Sequence, residues 1–205
     1  MSTIYVLRHA QSAANADPLL YDTMFNQDIP LSPQGEQEAE NAGMLIQKDI
    51  DNTAMAVFSS AHLRAIQTAE IISKHIGNRI VKQNVFLAER QWGDQEGCND
   101  IDDFRARPLE KYAYERMGHL AYTPIRGESL LDVQMRMALF VLQQNSFRFM
   151  PVVILVSHRD ACLAMHSYLT GEIPKPENSW GNCEIRKYIA KNAEFSYEGE
   201  LGATS

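Results

Sequence analysis

Cysteine is scarce. The 205 residues contain three, Cys98, Cys162 and Cys183, widely spaced and with no C-x-x-C pair. That excludes a disulfide framework and a cysteine-rich zinc site, and it fits a reducing compartment. An excess of positive charge is also missing: Lys and Arg total 19 against 26 Asp and Glu, a formal net charge of −7. A general nucleic-acid surface is thereby disfavoured, and an anionic ligand would have to meet cations concentrated in a pocket. Residues 1–7 lack the basic start and long apolar run of a secretory signal, and no segment is apolar for long enough to span a membrane. A cytoplasmic location is the expectation. With no internal repeat, low-complexity tract or linker-like shift in composition, residues 1–205 read as a single domain.

What is present is ordinary for a globular chain, 45% hydrophobic and 22% charged. Residues 4–7 form a short apolar run that stops abruptly at Arg8-His9. Ser32 and Pro33 open a helix to about residue 48, Ser32 as N-cap and Pro33 at the first helical position, with Ala39, Ala42, Leu45 and Ile46 as its core stripe. Residues 54–58 read as a second strand, followed by a helix that Ser59-Ser60 can cap, and residues 80–87 as a third strand. A mixed stretch at about 98–126 reads as partly helical and pocket-covering. A long helix runs from Ser129 to about 145, with Met135, Met137 and its aromatic positions read as core packing. The most apolar run, 152–156, ends at Ser157-His158, a helix covers about 162–169, and 184–190 is expected to be the last strand.

Alternating strands and helices predict an α/β domain: three layers, α/β/α, around a mostly parallel sheet. Ligands of such sheets bind beyond the carboxyl ends of the strands. Those ends carry Arg8 and His9, the Ser60-to-Arg64 turn, Glu89, and His158. The set suits phosphoryl transfer. Two arginines can clamp the charge that spreads over the equatorial oxygens, and a neutral imidazole can take phosphorus as phosphohistidine. A second, protonated imidazole can stabilise the same charge, and a carboxyl group can protonate the leaving oxygen and then activate water. Backbone N–H groups near Ser60 add anion affinity. His62, His75, His119 and His166 have no supporting pattern and read as surface or core residues.

In sequence order, several motifs resemble the histidine phosphatase superfamily, also called phosphoglycerate-mutase-like. Arg8-His9-Ala10-Gln11-Ser12-Ala13-Ala14-Asn15 is similar to its R-H-G/A-x-S/T-x-x-N. Leu31-Ser32-Pro33-Gln34-Gly35-Glu36-Gln37-Glu38-Ala39 is similar to L-S/T-x-x-G-x-x-Q-A, with Glu38 in place of glutamine. Ser60 to Ala69 resembles S-x-x-x-R-A-x-Q-T-A, and Leu87 to Gly97 resembles L-x-E-x-x-x-G-x-x-E-G. Gly127-Glu128-Ser129, Val156-Ser157-His158 and Asn182-Cys183-Glu184-Ile185 follow. The resemblance implies His9 as nucleophile and Glu89 as general acid/base. Arg8, Arg64 and His158 would hold the phosphate, Asn15 and Ser12 would contact substrate, and no metal or cofactor would be needed. Arg159-Asp160 departs from the family, which has glycine after the histidine. Arg159 can still offer its backbone N–H, while Asp160 is placed to compete for His158 or Arg8.

A phosphatase acting on a small phosphomonoester is the leading expectation. Glu89-Arg90 resembles the cofactor-dependent mutases, but their later Arg-Arg doublet and proline run are absent. A non-catalytic phospho-ligand binder and a metal hydrolase using His9, His158 and Glu89 are the other readings. Arg105, Arg107, Lys111, Arg116 and Arg126 either bind a second anionic group or form a solvated face balanced by Asp102, Asp103, Glu110 and Glu115.

Overall fold

The computed structural model describes residues 1–51, 54–93, 108–144, 146–192 and 194–202. In chain order these residues form β1 (Ser2–Arg8), α1 (Ala13–Ala16), α2 (Pro33–Asp49), β2 (Met55–Ser59), α3 (Leu63–His75) and β3 (Val81–Gln83). There follow α4 (Pro108–Ala121), α5 (Leu130–Gln143), α6 (Ser146–Phe149), β4 (Val152–Ser157), α7 (Arg159–Thr170), β5 (Ile185–Lys191) and β6 (Glu194–Glu200).

The sheet has the order β3-β2-β4-β1-β5-β6. β3, β2, β4 and β1 pair in parallel; β5 and β6 add an antiparallel edge. The two most apolar runs, β1 and β4, are central because both of their faces are covered. Ile4, Val6, Val153 and Leu155 pack toward Leu130, Val133, Met137 and Phe140 of α5 and toward α7. Tyr5, Leu7, Ile154 and Val156 pack toward Ala42 and Ile46 of α2 and Ala65, Ala69 and Ile72 of α3. Each fully buried side chain of this kind contributes about 1.5–3 kcal/mol relative to exposure. The result is the expected three-layer α/β/α arrangement.

Register matters more than size here. Arg8 lies opposite Ser157, and Ser59 lies opposite Val156. β1, β2 and β4 therefore end level, and the residues that follow them, His9, Ser60 and His158, emerge along one sheet edge.

Four expectations change. Met135 is not in the core but 61% exposed, because the buried stripe of α5 runs through Leu130, Val133, Met137, Phe140 and Val141. The third strand is Val81–Gln83 only, because the Asn84 side chain accepts from the Phe86 N–H and turns 85–87 into a short 3-10 segment. Ile80 and Val85, 83% and 73% exposed, have no core to face on this sheet edge. The last strand is β6, not β5. Its burial pattern is mostly exposed, so it carries little of the alternation that marks a strand in sequence. Finally, α7 starts three residues earlier than expected, at Arg159, which makes His158 its N-cap residue. Within the 98–126 stretch, 108–121 is helical, with a break at Gly118 (φ 73°). Cys98, Asp102, Asp103, Arg105 and Arg107 lie outside the described residues, as do Asp94 and Glu96.

Candidate active site at the level strand ends

His9 leaves β1 buried, 4% exposed. Its Nδ1 lies 2.7 Å from the Ala10 carbonyl oxygen. A carbonyl can only accept, so Nδ1 carries the proton and Nε2 keeps its lone pair. Arg64 Nε donates to that Nε2 at 3.2 Å, which a protonated nitrogen could not accept. Burial, then the charges of Arg64 and Arg8, push the His9 pKa well below its ordinary value. His9 is thus a neutral imidazole of defined tautomer, its lone pair directed at the arginine pocket.

The loop behind His9 is held by residues of the second motif. The Gln11 N–H donates to Glu38 Oε2 at 2.8 Å, and Ser32 Oγ donates to Gln11 Oε1 at 2.7 Å. Glu38, the departure from the family's glutamine, supplies the acceptor that the loop requires. Gly35 meets the same loop so closely that a Cβ would stand 1.9 Å from the Gln11 carbonyl oxygen. Thr68 of the third motif accepts from the Ala10 N–H at 3.2 Å.

Arg64, 4% exposed, also donates from Nη1 to the Asn26 carbonyl at 2.6 Å. Arg8 donates from Nη1 to the Trp180 carbonyl at 2.7 Å, while its buried Nε has no partner. His158 is fully buried; its ring centroid is 5.1 Å from that of His9. Its Nε2 meets Ser60 Oγ at 2.8 Å, and its buried Nδ1 has no hydrogen-bond partner among the described residues. Burial and then Arg64, His9, His62 and Arg8 push His158 well below its ordinary pKa. With no anion beside it the neutral ring is favoured, so a protonated His158 would need one there.

Glu89 Oε1 accepts from the backbone N–H of Arg90 at 2.9 Å, and of Asp160 and Ala161 at 3.2 and 3.3 Å. The carboxyl thus sits over the first turn of α7, whose N-cap is His158. Burial first, then the neighbouring Asp160, raise its pKa, against the opposing Arg90 N–H, Arg159 and Arg8. A carboxyl group held partly toward its acid form suits proton donation.

The remaining candidates are placed as follows. Ser12 and Asn15 form a reciprocal capping box for α1, Asn15 Oδ1 accepting from the Ser12 N–H and Oγ at 3.0 Å. Arg159 opens α7 with an ordinary backbone, so the family's glycine is not required there for a positive φ. Its half-exposed side chain reaches Asp160 at 3.4 Å. Asp160 faces Arg159 and Arg90 (3.7 Å) rather than His158 or Arg8, correcting the expected competition. Ser60 is not the cap of α3; His62 holds that position without a side-chain cap bond.

His62 is the residue that the sequence reading missed. Its ring lies 4.7 Å from His158, its Nδ1 is 3.0 Å from Ser60 Oγ, and it lines a cleft of about 320 Å³. Phe25, Asn26, Gln27, Glu89 and Gln91 share that cleft. The only signal was its position between Ser60 and Arg64, two candidates flanking it at equal spacing. Among the described residues no group of three or more His, Cys, Asp or Glu is arranged to hold a metal, and no helix is long and apolar enough to cross a membrane.

Two imidazoles, two arginines and a carboxyl group gathered near the level strand ends make an arrangement that suits phosphoryl transfer. The chain belongs to the histidine phosphatase superfamily (branch 1), whose family model matches residues 4–198. A 2,3-bisphosphoglycerate-dependent phosphoglycerate mutase of Cytophaga hutchinsonii is 30% identical over 212 residues, covering 100% of this chain and 93% of its own. The fold is similar to that of the alpha-ribazole phosphatase from Shigella flexneri, with TM-score 0.78 and 19% identity over 98% of this chain and 96% of that one. It is also similar to mycobacterial glucosyl-3-phosphoglycerate phosphatase solved with inorganic phosphate, with TM-score 0.74 and 21% identity over 97% and 96% of the two chains.

Proposed function

We propose that this protein is a phosphatase that hydrolyses a small phosphomonoester through a phosphohistidine on His9. The observation that carries the reading is the locked tautomer: Nδ1–H held by the Ala10 carbonyl, Nε2 free to attack beside Arg64. In the first step His9 Nε2 forms the bond to phosphorus as the ester P–O bond breaks. The Arg64 N–H that donates to Nε2 passes to a phosphoryl oxygen, joined by Arg8. Glu89 gives its proton to the leaving oxygen. In the second step the Glu89 carboxylate takes a proton from water, whose oxygen bonds to phosphorus as the P–N bond breaks. Phosphate leaves and His9 is neutral again. No metal enters these steps. The ligand class is a small phosphorylated molecule, consistent with a cleft of about 320 Å³.

A mutase is the second reading, favoured by the 30% identical relative. Against it stands Arg90, the residue of Glu89-Arg90 that resembles the mutases. Its guanidinium donates to the Glu128 and Tyr122 carbonyls and stacks over Trp92 at 4.2 Å. Arg90 also lines the cleft, but these contacts hold its guanidinium to the cleft wall, which favours the phosphatase.

A panel of phosphorylated metabolites, with phosphate release and isomer interconversion followed together, tests the choice. Phosphate release without interconversion is expected; interconversion faster than release would establish the mutase. Labelled substrate quenched in alkali should leave label on the wild-type protein but not on His9→Ala, and an acid quench should remove it. Equal labelling of His9→Ala would refute His9 as nucleophile.

A further inference from the structure

His158 presents a difficulty that its own surroundings resolve. It is fully buried and neutral, yet a transferring phosphoryl group is best served by a protonated ring there. A proton must reach it from outside without crossing the arginines. We infer that Ser60 and His62 form a proton relay that charges His158 as the phosphoryl group enters, which makes His62 a positioning residue for the phosphatase reaction proposed above.

The geometry leads to this directly. Ser60 Oγ lies 2.8 Å from His158 Nε2 and 3.0 Å from His62 Nδ1. A hydroxyl has one proton to donate and two lone pairs, so Ser60 Oγ, which also accepts from the His62 backbone N–H at 3.3 Å, can donate to one imidazole nitrogen and accept from the other. The two arrangements differ only by a concerted shift of protons. At rest, His62 Nδ1–H donates to Ser60 Oγ, and Ser60 O–H donates to His158 Nε2. The remaining proton of neutral His158 is then on Nδ1, the buried atom that has no hydrogen-bond partner among the described residues. On phosphoryl binding, a proton from solvent is taken at His62 Nε2. His62 Nδ1 passes its proton to Ser60 Oγ, whose own proton passes to His158 Nε2. One proton has been taken up, His62 is neutral again, and His158 is an imidazolium whose Nδ1–H is free to donate to a phosphoryl oxygen.

The outer end of the chain is open, because the half-buried His62 ring lines the cleft. The charged and titratable groups around the relay are Arg64 on α3, Arg8 at the end of β1 and His9 just after it, and Glu89 and Arg90 across the cleft. Burial and Arg64 hold His62 down at about 4, so it transmits a proton at neutral pH and does not store one.

The test uses an aryl phosphate and reads phosphorylation of His9, a step common to phosphatase and mutase. His62→Asn keeps a side-chain partner for Ser60 Oγ but cannot pass a proton through. The substrate dianion then finds a neutral His158, whereas a substrate monoanion, present below its second pKa of about 6, brings its own proton. His62→Asn should lose about tenfold or more in rate near pH ~8 and little near pH ~5.5, and added imidazole should restore at least half of the loss. Ser60→Ala should show the same alkaline loss without imidazole rescue, since the link to His158 is cut, and it covers the case in which His62→Asn fails to fold. A pH profile in His62→Asn parallel to wild type, or a loss that imidazole leaves untouched, would overturn the relay. Wild-type protein that never labels on His9 would instead overturn the phosphoryl-transfer reading itself, and the relay with it.

Discussion

Glu89→Gln isolates proton transfer from everything else that Glu89 does. Oε1 accepts from the backbone N–H groups of Arg90, Asp160 and Ala161, and a glutamine Oε1 can accept from all of them. What the substitution removes is the transferable proton. Deleting a general acid typically costs 10²–10⁴-fold, about 3–5 kcal/mol of barrier. With an alkyl phosphate, whose leaving oxygen needs a proton as the P–O bond breaks, phosphorylation of His9 should slow by that amount. With an aryl phosphate of low leaving-group pKa the first step should survive, and slow hydrolysis should leave phosphohistidine accumulated after a burst. Rapid-quench measurements on both substrates, with thermal unfolding as a control, separate these outcomes. The melting temperature should change little, because the backbone contacts persist. Equal losses for alkyl and aryl substrates, with no burst, would refute Glu89 as proton donor. Asp160 would be the next candidate among the described residues.

Arg64→Lys keeps the charge but loses the fork that reaches His9 Nε2 and the Asn26 carbonyl together; a fall in kcat/KM of roughly 10–100-fold is expected, with Arg64→Ala lower still. Full activity in Arg64→Lys would remove Arg64 from the pocket. Arg90→Leu should destabilise by about 2–4 kcal/mol, since it leaves the Glu128 and Tyr122 carbonyls without their donor, while kcat/KM of the folded fraction changes less. A large loss of activity at unchanged stability would point to Arg90 on the substrate. His9 and His158 have folded pKa values well below those of the unfolded chain. The unfolded state therefore binds more protons below about pH 6.5, so stability is full above that pH and falls as the solution is acidified. Urea unfolding at pH ~7 and pH ~5 should show the loss, and inorganic phosphate, binding only the folded state, should offset part of it; a flat profile would mean that the two rings are not buried neutral.

The central fold was legible because β1 and β4 are buried on both faces and so read as continuous apolar runs beside polar strand ends. The edge was not. β3 and β6 are short or exposed, and their pairing is fixed by the Asn84 turn and by the antiparallel return from β5, which leave no periodicity. Of the candidate site residues, Arg8, His9 and His158 stood out as polar groups at the ends of apolar strands, while Arg64 on α3 and Glu89 beyond β3 rested mainly on the motifs around them. The charge state of His158 did not, because it depends on what surrounds the ring. His62 was invisible for a similar reason. A histidine two residues after a serine means nothing until the level ends of β2 and β4 bring Ser60 against His158. Ser32, Gly35 and Glu38 of the second motif and Thr68 of the third act on the His9 loop, while Arg64 of the third meets His9 itself.

The cleft beside the pocket is lined by Phe25 to Gln27 and by Ala88 to Gln91, together with His62, and apart from His62 these residues belong to the connections between strands. Of the groups proposed around phosphorus, Arg8, His9 and His158 stand at the ends of β1 and β4 and Arg64 stands on α3, whereas Glu89 belongs to the cleft lining itself. On the proposed reading the nucleophile and the phosphate-holding groups are therefore separable from the cleft, and the proton donor is shared with it. On the proposed reading, exchanging side chains at 25–27, 88 and 91 should change which phosphorylated molecule is accepted while Arg8, His9, Arg64 and His158 stay in place, which makes that rim the place to begin remodelling its preference.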